Sequence, residues 1–399
     1  MIPHPRYVPD YEVRINGDPL PAAVRSTIAS VRYEDGRNAA DRVEIELGNP
    51  DLRWLQRHIR GLGFRPPSGF DIGPVRVAQA APEGTFDLDN SLTLALGYRP
   101  GPLEAMFDGE VTGVEASFPS GGMPTLRLVA HDKLNRLSRG TGAVAFGFLP
   151  DFLVASIAAA KNFLIPAIDP AVIGASTALA AINLIFGGAG LQQAGQLDGM
   201  TDLELMTMIA TKYGADFWVE GDVLYLSRFI KEYDPSVTLK WGESLVDFSP
   251  RISNVGQVAG VGYRFTLREV PLSFLVTVYW DFDRETLGLS VIPGAAAKAG
   301  VEGTIGGKSL TRVDRPVASP ADVVSSALEI EHELRTKLNG RLTGSFTAVG
   351  DPRIRAGAIV RLEGLGPDFS LDYRVASASH SFDGGGWVTS GQLYKEIIP

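Results

Sequence analysis

The 399-residue chain contains no cysteine. That excludes disulfide staples, thiolate zinc sites and a cysteine nucleophile together. Histidine is scarce. His4, His58, His131, His332 and His380 are the full set, and none falls in His-Glu-x-x-His or another metal-ligand spacing. A basic surplus is missing as well: 37 Lys and Arg stand against 46 Asp and Glu, a net charge of −9. This is the opposite of the basic footprint that nucleic-acid binders carry. No Gly-x-Ser-x-Gly elbow occurs. Ser176, within Gly174-Ala175-Ser176-Thr177-Ala178, lacks the second glycine. The first ten residues have prolines and no apolar run, so no secretory signal is read there. What the chain does have is glycine, 45 residues of it, with 45% hydrophobic and 21% charged residues. This is the composition of a globular protein rich in turns, and the length suggests two or three domains.

Alternation dominates the first 140 residues. Val13 and Ile15 alternate with polar neighbours, as do Val43, Ile45 and Leu47, and Leu126, Leu128 and Ala130. Period two means one buried and one wet face. Segments 91–98 and 105–118 read the same way, and a short helix is expected over Asp51 to Arg60. The stretch 143–198 is different: no charged residue lies between Asp169 and Asp198. A membrane span needs about 20 apolar residues, but Pro170, Asn183, several glycines and three glutamines favour a helical insertion buried in an assembly. Residues 201–213 predict a helix, with Thr201 and Glu204 at capping-box spacing. Its apolar face is Leu203, Met206, Ile209, Ala210 and Tyr213, and Gly214 is its stop. Asp216–Val219 and Val223–Leu226 predict a hairpin. From 236 the chain is strand-like again. Residues 285–318 read as a Gly- and Ala-rich loop, and a helix is expected over 320–339 with Val323, Ala327, Ile330, Leu334 and Leu338 as its stripe. Strands are expected at 342–348, 357–363, 372–381 and 387–397. No short-period repeat is visible.

Candidate chemistry is thin. Gly306-Gly307-Lys308-Ser309 has the end of a phosphate loop, but Glu302 occupies the position of its first glycine. Gly364-Leu365-Gly366 lacks the third glycine of a dinucleotide site. Asp281, Asp283 and Glu285 share one strand face if β-structure continues past Trp280, and Asp87 and Asp89 do likewise. Such sets hold calcium or work as acid and base in some proteins, whereas solvated strand ends are the commoner role. His332 lies on a predicted helix with no second histidine one turn on. Trp218, Trp241, Trp280 and Trp387 read as core or interface anchors.

The last fifty residues contain Gly350-Asp-Pro-Arg-Ile-Arg-Ala-Gly357, Val360-Arg-Leu-Glu-Gly364-Leu-Gly366, Tyr373-Arg-Val375, His380-Ser-Phe382 and Gly384-Gly-Gly-Trp387. This set resembles the C-terminal signature of the phage late control protein D family, the baseplate hubs of contractile tails, which are similar to the hub half of valine-glycine repeat spike proteins. Three further segments resemble the same family. They are His131-Asp-Lys-Leu-Asn-Arg-Leu-Ser-Arg139, Thr201 through Val219 with Asp222-Val-Leu-Tyr-Leu226, and Leu239-Lys-Trp-Gly-Glu-Ser-Leu-Val-Asp-Phe-Ser-Pro250. The apolar segment 143–198 and the loop 285–318 depart from the family pattern.

The resemblance implies an α+β, β-rich chain with two tube-like antiparallel β-barrel domains, at 1–140 and 236–399. Between them lie an apolar helical insertion at 141–199 and a helix–hairpin module at 200–235. It implies a homotrimeric structural hub that joins a hexameric inner tube to a separate trimeric spike and lines the central channel. Tube-adaptor or LysM-like and wedge proteins are further expected neighbours. It implies no enzyme activity, no catalytic, cofactor or metal residues, and no sequence-specific nucleic-acid binding. Assembly is expected in the cytoplasm of the producing cell, then in the particle. Because the sequence stops at Pro399, soon after the second barrel, the spike is expected on another chain. Two alternatives stand beside this reading: a cell-wall hydrolase using Asp281, Asp283 or Glu285, and a membrane-anchored component using 170–192.

Overall fold

A computed structural model describes residues 8–48, 85–139, 149–186, 199–228, 234–253, 260–266, 273–281, 286–293, 304–305, 308–314 and 331–397. The first unit is a curled sheet. Its strands are β1 (Val8–Ile15), β2 (Asp18–Pro19), β3 (Ile28–Gly36), β4 (Arg42–Gly48), β5 (Ser91–Arg99), β6 (Leu103–Ser117) and β7 (Thr125–Asp132), with the single turn α1 (Ala22–Arg25) before β3. Asn16 and Gly17, both at positive φ, turn β1 into β2, the geometry that Asn-Gly favours in two-residue hairpins. The alternation read from the sequence is the alternation of burial: Val43, Ile45 and Leu47 are fully buried while Arg42, Glu44 and Glu46 are not. Each such aliphatic side chain contributes roughly 1.5–3 kcal/mol on leaving water. They share one core with Leu92, Leu94 and Leu128.

A helical module follows. Asp132 ends β7 and caps a 3₁₀ turn (Lys133–Ser138), accepting the Leu134 N–H at 3.2 Å. Then come α2 (Asp151–Lys161), β8 (Ile165–Ile168), α3 (Pro170–Phe186), α4 (Asp202–Tyr213), β9 (Asp216–Glu220) and β10 (Val223–Ser227). The capping box of α4 is formed, and Gly214 closes the helix in the left-handed region. Buried on α4 are Leu205, Met206, Ile209, Ala210 and Tyr213, with Leu203 half-buried. The expected hairpin is β9–β10. The apolar stretch is only partly helical: β8 runs parallel to β10 as a third strand, so this segment and the helix–hairpin share one core. Polar ties lock it. Asp151 accepts from Tyr213 Oη at 2.5 Å and Lys212 Nζ at 2.7 Å, and Asp202 accepts from Asn162 Nδ2 at 2.8 Å. α3 buries Val172, Ser176 and Leu179 and exposes small residues such as Ala171 and Ala178. Among the described residues no helix is long and apolar enough to cross a membrane.

The second unit comprises β11 (Pro235–Lys240), β12 (Leu245–Ile252), β18 (Leu342–Val349), β19 (Ile359–Glu363), β20 (Asp372–Asp383) and β21 (Gly386–Tyr394). Between β12 and β18 sits a five-stranded sheet of β13 (Gly260–Thr266), β14 (Ser273–Asp281), β15 (Thr286–Pro293), β16 (Thr304–Ile305) and β17 (Lys308–Asp314), in the order β15-β14-β13-β17-β16. This corrects the reading of 285–318 as a loop. Small residues between strands lowered the apparent periodicity, yet Thr286–Pro293 pairs along its full length with β14. Lys308 and Ser309 open a strand, not the helix a phosphate loop requires. Helix α5 (331–339) is the described end of the predicted helix 320–339 and buries Leu334 and Leu338. Residues 320–330, the expected helix 51–60, His4, His58, Asp283, Glu285 and 187–198 lie outside the described residues.

The two units share one strand order. With the two-residue β2 set aside, the first reads β1-β5-β6-β7-β4-β3 and the second β11-β19-β20-β21-β18-β12, the same sequence of first, fourth, fifth, sixth, third and second strand. Two of the bulges in each unit coincide. β3 slips one residue against β4 after Ile28, and β12 slips against β18 after Leu245. β6 slips against β7 after Val111, and β20 slips against β21 after Val375. The outer pairings differ: β1–β5 is antiparallel and β11–β19 parallel with a slip after Pro235, and β5 slips against β6 after Leu94 whereas β19–β20 runs without a slip.

Candidate functional site

The two units are stitched into a single 13-stranded sheet by one seam, β3 against β20, antiparallel from Ser377↔Gly36 to Phe382↔Val31. β20 can serve both units because its first residues pair with β19 and Ser377 to Phe382 with β3. The β20–β21 hairpin tip reaches into the first core. Phe382 packs edge-on against Tyr11 at 4.8 Å between centroids, and Trp387, 4% exposed, tilts onto Tyr98 at 5.2 Å. Tyr98 Oη donates back to the Gly350 carbonyl at 2.9 Å. Gly350 must stay glycine, since a Cβ there would sit 2.2 Å from the Trp387 ring. So Trp387, read as a core or interface anchor, anchors the seam.

His380 sits in the same seam. Burial pushes its imidazole down to about 4, so the ring is neutral at neutral pH. The Ile354 carbonyl can only accept, hence Nε2 carries the proton and donates at 3.0 Å, while Nδ1 accepts from Thr389 Oγ1 at 2.9 Å. The Asp351 N–H donates to that same hydroxyl at 3.2 Å. Every polar atom of the ring is thus employed, and its face stacks on Tyr33 at 5.8 Å. This histidine holds strands together.

A cavity of ≈ 300 Å³ opens beside the seam, where the first unit, β9–β10 and the loop before β19 meet. Its walls carry Asp35, Asp41 and Asp132. Desolvation raises all three carboxyls, Asp132 to about 8, and repulsion from Asp41 adds to the rise at Asp35 and Asp132. Asp41 accepts from Tyr33 Oη at 2.8 Å, and Asp35 accepts from the Ala356 N–H at 2.9 Å. Arg37 lies over the Trp218 ring at 4.1 Å and donates to the Ala356 carbonyl at 3.3 Å. Asn38, at φ 61°, bonds Asp216 Oδ1 and the Phe217 backbone. Asp35 thus braces the first unit to the loop before β19, while Asp41 and Asp132 accept from local groups, Gly36 N–H and Leu134 N–H among them. Sequence reading missed them, because Asp35 and Asp41 flank the β3–β4 turn while Asp132 ends β7, a distant segment.

The carboxylates singled out from sequence fall in two separate places, with Asp283 and Glu285 outside the described residues. Asp87 and Asp89 lie in the turn before β5, Asp89 beside Arg139 at 3.2 Å, while Asp281 ends β14 in another sheet. His131 contacts Thr112 Oγ1 at 2.6 Å, and His332 packs against Gly214. Ser176 is buried and bonds the Ile173 carbonyl of its own helix at 3.2 Å. Among the described residues no cluster of three or more His, Asp or Glu is placed to hold a metal.

No family model and no curated protein matches the sequence. Solved structures do. The fold is similar to that of a 43 kDa tail protein of prophage MuSo2 from Shewanella oneidensis, with TM-score 0.59 and 13% identity over 96% of this chain and 98% of that one. It is similar to a tail protein of Neisseria meningitidis, TM-score 0.55, 12% identity, covering 98% and 97%. It is also similar to the c3393 protein of E. coli, a type VI secretion component, TM-score 0.52, 9% identity, covering 97% and 80%. A β-rich chain with two like-ordered sheets joined by one seam thus shares its fold with these tail and secretion-system proteins.

Proposed function

We propose that the chain is the structural hub of a contractile tail or contractile injection system. Three copies form a ring that seats a hexameric inner tube on one side and a separate trimeric spike on the other, and that lines the channel between them. The observation that carries this reading is the repeated strand order with its coincident bulges. A chain that contains one sheet twice offers six equivalent sheets when three copies close, so a sixfold part and a threefold part can share one ring. Such a ring needs complementary surfaces and no reacting groups. In this reading residues 8–132 and 235–394 supply the ring, and the helical module, with its exposed Phe163 and Ile165, stands off it toward neighbouring proteins.

The test is a count of copies in isolated particles by cryo-EM or quantitative mass spectrometry. Three per particle end, placed between tube and spike, is the expected result. One or six per end would overturn it. Release of soluble fragments from peptidoglycan by the purified chain would replace it with a hydrolase.

A further inference from the structure

Among the sheet edges left without a second strand in the described residues are two that the internal repeat says should match. β12 pairs with β18 and with no second strand. β6 pairs with β5 only as far as Glu110, so its last residues, 112–117, have β7 on one side and no strand on the other. In the repeat, β6 corresponds to β20 and β12 to β3. The in-chain seam is the pairing of the last half of β20 with β3. The open edges are the same two half-seams with their owners exchanged.

We propose that β12 of one copy pairs antiparallel with the end of β6 of a second copy, in the register of the β3–β20 seam. The inference rests on the hub reading and adds the surface by which copies join. The coincident bulges fix the register. Val375 matches Val111, so Ser377 matches Gly113 and Phe382 matches Phe118. Leu245 matches Ile28, so Phe248 matches Val31 and Ser253 matches Gly36. Transferring Ser377↔Gly36 through Phe382↔Val31 then sets Val114 opposite Ile252, Glu115 opposite Arg251 and Phe118 opposite Phe248.

The side chains suit that register. An acid faces a base and apolar residues face apolar ones, whereas a two-residue slip would set Glu115 against a serine on either side. The hairpin tips agree too. Phe382 and Trp387 fill the first core, while at the corresponding β6–β7 tip Phe118 and Met123 are 62% and 59% exposed. Across the proposed contact Val246 and Ile252 are 61% and 56% exposed.

Pro250 marks the edge. Ser253 donates to the Arg341 carbonyl across β12–β18 at 2.9 Å, so by alternation residues 252, 250 and 248 turn their backbone groups outward. A proline is tolerated there because β18 needs no donor from it. It removes one donor from the outward row, which blunts the edge against indiscriminate pairing while Phe248 and Ile252 remain free to pair. The contact joins two different surfaces, so it propagates head to tail and closes as a ring.

The cysteine-free chain allows a direct test. Glu115 and Arg251 would form a non-hydrogen-bonded pair with Cα atoms about 4.5 Å apart, within disulfide range. Particles carrying the double variant E115C/R251C are oxidised and run without reductant. Covalent trimer is expected, with covalent dimer from a mixture of the two single variants and no cross-link from either alone. Particles that contain the protein but cross-link through E115C/S249C or through a single variant overturn the register while leaving the hub reading intact. Particles in which no pair cross-links overturn the contact. Absence of the unaltered chain from particles overturns the hub reading itself. The charge exchange E115R/R251E guards against loss of folding. It should restore assembly that E115R abolishes, each variant having the melting temperature of the unaltered chain, and failure to restore counts against the pairing.

Discussion

The two six-stranded units have one topology and opposite circumstances. In the second unit the β20–β21 hairpin is consumed inside the chain: Phe382 and Trp387 sit in the neighbouring core. In the first, the β6–β7 hairpin carries Phe118 and Met123 into solvent. Their electrostatics are mirror images at the bulge. Buried Arg374 pairs with Glu396 just past β21, whereas the matching Glu110 pairs with Arg136 just past β7. The strand order requires an ion pair of neither polarity; it requires that whatever stands at the bulge be satisfied. The same frame can therefore be closed internally at one end and left open for a partner at the other.

Breaking the closed end should have the largest effect. Trp387→Ala removes a buried indole from the seam and should cost about 3–5 kcal/mol in denaturant unfolding. Phe118→Ala at the matching tip should change the stability of the isolated chain by no more than about 0.5 kcal/mol and show its effect in assembled particles instead. Equal losses for the two would erase the contrast between them.

Arg374→Ala comes next. It strands Glu396 and leaves the Gly357 carbonyl, 2.7 Å from Nη1, without its donor. Removing one partner of a buried pair costs roughly 3–5 kcal/mol. The pair is partly open on the Glu396 side, so the lower end is expected. Glu110→Ala, at the more exposed counterpart, should cost less, as read by the same unfolding curves.

The cavity acids give a pH signature with a definite sign. Burial raises Asp35, Asp41 and Asp132 above their ordinary 3.8, Asp132 to about 8. The folded chain then binds more protons than the unfolded one between these values. Their contribution is whole below about pH 4 and is lost as pH rises through the folded values. His380, lowered to about 4, acts the other way: stability falls as pH drops from about 6.5 toward 4. Above pH 6.5 only the acids remain, so the melting temperature should decline toward pH 8, and Asp132→Asn should flatten that decline. A profile unchanged by the substitution would remove Asp132 from this role.

The smallest effect belongs to Pro250→Ala. It restores one outward N–H and should slow dissociation of assembled rings in a subunit-exchange assay, with little change in the melting of the single chain. Slower exchange sharpens the comparison, and faster exchange would contradict the outward orientation of residue 250.

Local signals were legible in the sequence where local physics decides. Val43, Ile45 and Leu47 announced a strand because period two is a property of the strand itself. Thr201, Glu204 and Gly214 announced both ends of α4 because free amides and a left-handed stop are met by side chains within a few residues. Residues 286–293 did not announce β15, since Gly288 and a mixed pattern hide a strand whose partner is supplied by β14. β8 was hidden within an apolar run for the same reason: its register depends on β10, more than fifty residues away.

What the sequence by itself determined is the kind of molecule: β-rich, without thiol chemistry, acidic, with a resemblance to tail hubs carried above all by its last fifty residues. Only the tertiary structure decided that the two β-rich blocks repeat one strand order, and that Asp35, Asp41 and Asp132 converge on one cavity. It alone decided which edges are closed and which are open. The physical reason is that strand pairing is satisfied by backbone groups, which are the same in every residue except proline. A sequence can mark where a strand runs, but its partner is chosen by geometry brought together from distant segments.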